Sequence, residues 1–231
     1  MAAAPRLIGL LLVEMVLLMV ALAGLLFGAA GTFGWPSAWA YLALFFILGI
    51  GISLWLARVD PGLLEERLMP VYQRDQKSWD KVFLTCVIVL YVAWTALMGL
   101  DARRMVWSHV PVWVQTLGAL LLVASFLGVA WVFATNSFAA PVIKVQADRG
   151  QTVIDTGPYA LVRHPMYAFG LWQFVGAPLM LGSWWGLTLI PVAVAGLAWR
   201  TLGEEKMLQA ELAGYDDYAR RVRWRYAPGV W

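Results

Sequence analysis

Charged residues are scarce in this chain: of its 231 residues, 61% are hydrophobic and only 13% are charged. A soluble globular domain is about half apolar and about a quarter charged. The shortage of charge therefore excludes an ordinary soluble domain and indicates an integral membrane protein. The formal net charge is +3, an excess that in a membrane protein marks the cytoplasmic face, so we expect no nucleic acid partner.

Cysteine and histidine are also nearly absent. The single cysteine, Cys86, lies in an apolar run, so an internal disulfide is excluded and we expect a small buried hydrophobe there. The two histidines and the scattered acids have no spacing typical of metal ligands, and we predict no metal site. A glycine-rich nucleotide fingerprint is not evident either, which argues against a membrane reductase that uses a nicotinamide cofactor.

Long apolar runs, by contrast, are abundant. Because about 20 apolar residues cross the hydrocarbon layer, the sequence predicts an all-α integral membrane protein with about six transmembrane helices. The predicted spans are residues 7–30, 38–57, 82–100, 112–134, 166–181 and 184–202. The first four, in residues 1–134, would provide the scaffold and substrate access. Residues 135–231 would supply a cofactor-binding loop, a C-terminal helical hairpin and amphipathic helices.

Lysine and arginine are concentrated in alternate connections between these spans. They occur at the N-terminus, in the second and fourth connections and at the C-terminal end, whereas only Arg103 and Arg104 lie in the third connection. Cytoplasmic loops carry an excess of Lys and Arg. We therefore expect both termini in the cytoplasm, most simply at a bacterial inner membrane. The second connection, 58–81, which includes Arg74, is predicted to be a membrane-surface loop with one short helix.

The most informative polar segment reads GPYALVRHPMY and is lodged between apolar runs. Pro165 suits the first turn of a helix, where its missing N–H has no consequence. Arg163 and His164 would then lie just before a helix N-terminus, a place suited to a carboxylate. The alternative interpretation is that both are interfacial snorkelling residues, with Tyr159 and Tyr167 in the aromatic belt.

Two further features lie on the same predicted side of the membrane. Glu204 and Glu205 follow the sixth span and would be a solvated helix face if exposed, or an acceptor for a ligand ammonium if placed against the fifth helix. The connection 136–162 is long, and such loops are functional or disordered, so we expect a structured cytoplasmic cap. Glu14, a lone acid in the first span, is either neutral and hydrogen-bonded to another helix or part of a substrate path.

The order GPY-x-x-x-RHP-x-Y, hydrophobic hairpin, Glu-Glu and GY-x-x-Y resembles the isoprenylcysteine carboxyl methyltransferase family over residues 136–231. Phospholipid N-methyltransferases and bacterial membrane thiol methyltransferases share related patterns. The resemblance implies S-adenosylmethionine as methyl donor, bound at the cytoplasmic face by the last two spans and the preceding loop. The implied cofactor-binding residues are Gln146, Thr152, Val153, Tyr159, His164, Pro165, Met166, Tyr167, Glu204 and Glu205.

Arg163 and Arg200 are the catalytic candidates. The family carries an arginine four residues before the second glutamate, where this chain has Thr201, and Arg200 lies one position earlier. A slip of one residue rotates a side chain by about 100° on an α-helix. Arg200 would therefore point in a different direction from the family's arginine, which argues against a role for it in orienting the substrate.

The resemblance implies a methyltransferase that acts on a lipophilic small molecule or lipid, with membrane lipids as its only other partners and no protein partner. Carboxyl methylation of an isoprenylcysteine-like substrate is the favoured reaction, because a carboxylate is already ionised at pH 7 and an arginine can orient it. Phospholipid N-methylation and thiol S-methylation are alternatives. Outside the methyltransferases, a small transporter or a membrane reductase remains, although the chain lacks the inverted repeats of many transporters.

Overall fold

The computed structural model describes residues 3–73 and 76–231, and this part of the chain consists of helices and loops without a strand. The α-helices are α1 Ala3–Ala30, α2 Pro36–Val59, α3 Pro61–Arg67, α4 Ser78–Gly99, α5 Val112–Thr135, α6 Pro165–Leu181, α7 Ile190–Glu211 and α8 Tyr215–Arg221. Short 3₁₀ turns occur at Ala147–Arg149, Gly157–Ala160 and Trp185–Leu189, and α4 ends in the π-helical turn Leu100–Arg104. The expected all-α membrane architecture is confirmed.

Five helical segments of the described chain are long and apolar enough to cross a membrane: Arg6–Ala30, Pro36–Val59, Ser78–Arg104, Val112–Thr135 and Trp185–Glu211. Helix α6 has 17 residues, which span about 26 Å at 1.5 Å per residue, slightly less than a hydrocarbon layer of about 30 Å. It nevertheless connects the two ends of the bundle. The architecture is therefore five full-length spans and one shorter helix, close to the six expected.

Small residues bring α5 and α6 into close contact. A Cβ atom built on Gly118 would lie 2.4 Å from the backbone nitrogen of Met180, and one on Gly128 would lie 2.3 Å from the ring of Phe169. The Ser125 hydroxyl donates to the Phe169 carbonyl at 2.7 Å. Such close backbone approach is typical of helix pairs in membranes. It fixes α6 antiparallel along α5, so the start of α6 lies at the end of α5.

The turn between α6 and α7 is anchored at the opposite end of the bundle, which we call the far end. Gly182 ends α6 in the left-handed region at φ +85°, a conformation that favours glycine. The hydroxyls of Ser183 and Ser108 donate to Oδ2 of the buried Asp101 at 2.5 and 2.6 Å. From this anchored turn, α7 returns to the end where α6 begins, which we call the site end.

Helix α7 is longer than predicted. The sixth span was expected to stop at residue 202, with a separate amphipathic helix after it, but α7 continues without interruption to Glu211. No proline or glycine interrupts the segment between Gly203 and Gly214, so nothing breaks the helix before Leu212. Glu204 and Glu205 consequently lie within the rigid last turns of a spanning helix.

Three other predictions concern the first four helices. The short helix expected in 58–81 is α3, while Arg74 of the same loop lies outside the described residues. Cys86 was expected to be buried and is exposed on α4; the outer surface of a membrane bundle is itself apolar, so hydrophobicity does not separate lipid-facing from buried positions. Glu14 is likewise exposed on α1 and is not hydrogen-bonded to another described helix.

Candidate active site

The start of α6 is held by the C-terminal segment that follows α8. The backbone N–H groups of Arg163 and His164 donate to the carbonyls of Trp224 and Arg225, each at 2.9 Å. Pro165 opens α6 at its first position, where its missing N–H leaves no unpaired donor. The chain therefore enters α6 in one fixed direction, with Arg163 and His164 just before the helix as the sequence predicted.

Glu205 is the centre of a buried charge cluster. Its Oε1 accepts a hydrogen bond from Arg163 Nε at 2.7 Å and lies 3.1 Å from His164 Nε2. Its Oε2 accepts from Arg225 Nε at 2.9 Å. Only 7% of Glu205 is exposed. Both carboxylate oxygens are therefore occupied by side chains of the protein, and two arginines from different segments neutralise the charge.

A second network starts at the neighbouring residue, Glu204. Tyr167 donates its hydroxyl to Oε2 of Glu204 at 2.6 Å, and Arg200 Nη1 donates to the Tyr167 oxygen at 2.8 Å. Arg200 Nε then donates to Oδ1 of Asp80 at 2.8 Å. This chain of four side chains joins α7, α6 and α4. Despite the one-residue slip, Arg200 reaches the start of α6, and its role in orienting a substrate stays a prediction.

A cavity lies between these networks and the loop 136–162, with about 790 Å³ of empty space, part of it open to solvent. Its lining includes nine of the predicted site residues: Thr152, Val153, Tyr159, Arg163, His164, Pro165, Met166, Tyr167 and Glu204. Gln146, Glu205 and Arg200 are not part of the lining. The structure therefore brings most of the predicted residues to one cavity and places three behind its wall.

The loop 136–162 forms the roof of this cavity. Gln146 is buried inside the loop, where its Nε2 donates to the Phe138 carbonyl at 2.9 Å and its backbone N–H donates to Oε1 of Gln151 at 2.7 Å. Lys144 donates to Gln73 at 2.8 Å, and Arg67 donates to the Ala139 carbonyl at 3.0 Å. The loop is thus a structured cap tied to the segment around α3, with Gln146 as an internal brace.

Three polar residues of the cavity were missed by the sequence analysis. Asn136 donates to the Tyr159 hydroxyl at 2.8 Å, and the Tyr218 hydroxyl donates to the Tyr159 carbonyl at 2.9 Å. Tyr215 lines the same wall. Burial raises the pKa of Tyr159, Tyr215 and Tyr218 above the ordinary value for tyrosine, so all three stay neutral at physiological pH. The GY-x-x-Y motif was the signal that could have identified the last two.

Asp80 was also missed, and its sequence context gave no signal for it. It lies in the first turn of α4, is fully buried, and accepts hydrogen bonds from Gln76 Nε2 at 2.8 Å and from the Ile143 N–H at 3.2 Å. With Arg200 bound to its other oxygen, Asp80 connects α4, α7 and the cap.

An apolar groove lies on the other side of Arg200, between α4, α6 and α7. It contains about 1020 Å³ of empty space, including part of the open surface. Phe83, Tyr91, Phe174 and Val192 are among its lining residues, and Arg200 is the one charged side chain among the described residues that line it. The side-chain pair Arg200–Tyr167 therefore separates a polar cavity at the site end from an apolar groove that faces the membrane.

Comparison with known proteins shows which protein family the C-terminal half of this chain resembles. Residues 113–213, which run from α5 through the cap and α6 to the end of α7, match the model of the phospholipid methyltransferase family. This family of membrane methyltransferases includes proteins like the isoprenylcysteine carboxyl methyltransferases. The matched part of the chain is similar to this family, and the resemblance inferred from the GPY-x-x-x-RHP-x-Y motif is confirmed.

One curated relative is the nickel-cobalt-cadmium resistance protein NccN of Alcaligenes xylosoxydans xylosoxydans. It is 26% identical to this chain over 136 residues, which correspond to 56% of this chain and 60% of the relative. The alignment thus spans less than two thirds of that protein. Its name describes a resistance to three metals, which is a property of the relative.

Proposed function

We propose that the protein transfers a methyl group from S-adenosylmethionine to a lipophilic acceptor within the membrane. The observation that carries this proposal is the shared wall: the chain Glu204–Tyr167–Arg200 lines the polar cavity on one side and the apolar groove on the other. A polar methyl donor would bind in the cavity and an apolar acceptor in the groove, and the two compartments would have to meet where the methyl group is transferred. The match to a family of membrane methyltransferases supports the same reaction class.

The residues of the cavity fit the methyl donor chemically. Glu204 offers a carboxylate for an ammonium group, and its side chain is 24% exposed. The positive end of α6, with Arg163 beside it, suits the carboxylate of the same amino-acid portion. Val153, Met207 and Leu212 supply apolar surface for a nucleoside base. The mixture of one acid, a helix N-terminus and an apolar wall matches a zwitterionic nucleoside.

Thr152, Val153, Tyr159, His164, Pro165, Met166, Tyr167 and Glu204 would contact the cofactor directly in this proposal. Gln146 and Glu205 would support them from behind the cavity wall, Gln146 by bracing the cap and Glu205 by fixing Arg163 and His164. Arg163 is itself committed to Glu205 and to the carbonyls of Val222 and Arg223. Its role is therefore to hold the start of α6 and to contribute positive charge.

When bound, S-adenosylmethionine would supply an electrophilic methyl group on a sulfonium: the bond from the acceptor to the methyl carbon would form as the carbon–sulfur bond breaks, with its electron pair left on the sulfur of the demethylated thioether. Positioning of the two reactants can contribute on the order of 7–11 kcal/mol. The chain supplies that positioning through Tyr167 and Arg200, which are rigidly bonded to Glu204 and Asp80.

The acceptor would lie in the apolar groove, with its reacting end at Arg200 and its hydrocarbon toward Phe174 and Val192. An isoprenylcysteine-like carboxylate was favoured on the sequence, with phospholipid N-methylation and thiol S-methylation as alternatives, and the family description supports the phospholipid candidate. Both have long apolar tails that suit this groove. In this proposal the site end is the cytoplasmic face, because the lysines and arginines of the connections concentrate there.

The test is calorimetric titration of the purified protein with S-adenosylmethionine, its demethylated product and NADPH. We expect heat with the first two ligands and none with NADPH, followed by transfer of a labelled methyl group into an added lipid extract. Heat with NADPH alone would favour a reductase. Binding of the methyl donor without transfer to any lipid fraction would contradict a lipophilic acceptor.

A further inference from the structure

Arg200, the charged residue of the apolar groove, is already engaged by the protein. Its Nε donates to Asp80 at 2.8 Å, its Nη1 to the Tyr167 hydroxyl at 2.8 Å and its Nη2 to the Pro141 carbonyl at 2.9 Å. Only 5% of Arg200 is exposed. A guanidinium has five N–H donors on three nitrogens, and three of these donors, one on each nitrogen, are bound within the chain.

Asp80 determines the charge at this end of the groove. It is fully buried and forms an ion pair with Arg200, so the positive charge that an acceptor would meet is cancelled at close range. Glu204, on the far side of Tyr167, adds negative charge. An acceptor carboxylate placed here would be an uncompensated anion in an apolar environment, which is strongly unfavourable. An acceptor with an uncharged terminal group would leave the pair undisturbed.

We propose that Asp80 is a specificity-determining residue that acts through Arg200: by neutralising the guanidinium it selects acceptors with an uncharged reacting group, such as a thiol or a free amine, against carboxylates. This inference rests on the proposed function in one respect, that the apolar groove holds the acceptor. It reverses the preference for a carboxylate that the sequence alone suggested. It also assigns a role to α4, which lies outside the segment matched by the family model.

Transfer to a thiol or amine also requires removal of a proton, and the network contains a place for it. The bond from the acceptor sulfur or nitrogen to the methyl carbon forms as the carbon–sulfur bond of the donor breaks. The acceptor proton passes to Glu204 through the Tyr167 hydroxyl of the wall between the two compartments, which donates to Glu204 at 2.6 Å. A carboxylate acceptor is already ionised at pH 7, so its methylation would not need Glu204 as a proton acceptor.

The experiment compares acceptor binding in the wild-type protein and in Asp80→Asn, both in lipid nanodiscs. The probes are dodecanoate and dodecanol, which have the same chain length and differ in charge. The ratio of their affinities is compared between variants, because partitioning into the lipid is the same for both proteins. We expect Asp80→Asn to shift the ratio toward dodecanoate by about tenfold, a change equivalent to about 1.4 kcal/mol. An unchanged ratio would overturn the proposal.

Two further variants guard against misfolding and general charge effects. The double variant Asp80→Asn/Arg200→Gln restores a neutral pair and should return the ratio to the wild-type value. Glu65→Gln removes an exposed acid from α3 and should leave the ratio unchanged. If Asp80→Asn does not fold, Arg200→Gln replaces it: an uncompensated Asp80 should weaken dodecanoate about tenfold relative to dodecanol, and an equal effect on both would contradict the proposal.

A parallel assay separates this inference from the proposed function. Labelled methyl transfer to dodecanethiol and to dodecanoate is measured with the same variants, and the wild-type protein should favour the thiol. If the affinity ratio shifts as expected but no acceptor is methylated, the proposed function fails while the role of Asp80 stands. If methyl transfer occurs and Asp80→Asn changes neither the affinity ratio nor the ratio of methyl transfer to thiol and carboxylate, the proposed role of Asp80 is wrong while the proposed function stands.

Discussion

Both ends of the helix bundle contain buried acids, and the side chains that bind these acids differ between the two ends. At the far end, Asp101 accepts hydrogen bonds from the hydroxyls of Ser108 and Ser183, which are small neutral groups. At the site end, Asp80 and Glu205 are paired with arginines that come from other segments of the chain. The two serines pack closely around Asp101 at the far end. At the site end, a cavity and a groove lie beside the arginines that bind Asp80 and Glu205.

This difference indicates a role for the charged side chains of the site end. At Asp101 the side-chain donors are hydroxyl groups. Buried ion pairs are weak evidence for stability, because desolvation offsets much of the attraction. Among the residues that the structure describes, the ion pairs of Asp80 and Glu205 lie at the site end, beside the cavity and the groove. The comparison predicts that charge removal at the site end affects ligands, while polar changes at the far end affect stability alone.

The largest expected effect is that of Glu205→Gln. The substitution leaves Arg163 and Arg225 without their buried counter-charge, and removal of one partner from such a pair typically destabilises by about 3–5 kcal/mol. We expect a lower unfolding temperature in detergent, and weaker binding of S-adenosylmethionine because the start of α6 is no longer fixed. Unchanged stability together with weaker binding would mean that Glu205 contacts the ligand itself.

The next effect should come from Glu204→Gln, one position earlier on α7. Glu204 faces the cavity, so the substitution removes a ligand contact and leaves the arginine cluster intact. A hydrogen bond to a charged group contributes about 1.5–3 kcal/mol, which corresponds to roughly 10-fold to 150-fold in affinity. Calorimetric titration should show this loss with little change in unfolding temperature. If Glu204→Gln and Glu205→Gln weakened binding and stability equally, the assignment of Glu204 to ligand contact and of Glu205 to structural support would be wrong.

The smallest expected effect is that of Ser183→Ala at the far end. The variant loses the hydrogen bond to Asp101 and the one that Ser183 Oγ accepts from the Gly186 N–H, while Ser108 still donates to the same Asp101 oxygen. We expect a loss of about 1–2 kcal/mol in the free energy of unfolding, and unchanged affinity for the methyl donor. Altered donor affinity in this variant would show that the two ends of the bundle are coupled.

Much of the site could be predicted because its residues lie in one contiguous motif and one helix end. The polar run before Pro165 and the acid pair after the sixth span were both visible, and counting the positive residues placed them on one side. Asp80 could not be predicted in this way, since a single acid at the start of an apolar helix is most often an interfacial residue. Its partner lies 120 positions away, and only the packing of α4 against α7 brings them together.

Other errors arose because hydrophobicity has a different meaning in a membrane protein. Cys86 was expected to be buried because its neighbours are apolar, yet it is exposed on a groove that faces the hydrocarbon. Gln146, expected at the ligand, lies behind the cavity wall as an internal brace of the cap, and a ligand contact for it stays a prediction. A glutamine serves either purpose equally well, so its position could be decided only by the folded backbone around Phe138 and Gln151.

The groove beside Arg200 has a practical consequence for any laboratory that purifies this protein. Common detergents have a single alkyl chain and an uncharged sugar head, the same general shape as the acceptors proposed for the groove. Detergent molecules should therefore compete with the acceptor, and turnover should fall as detergent concentration rises. Reconstitution into bilayers before kinetic work would remove that interference.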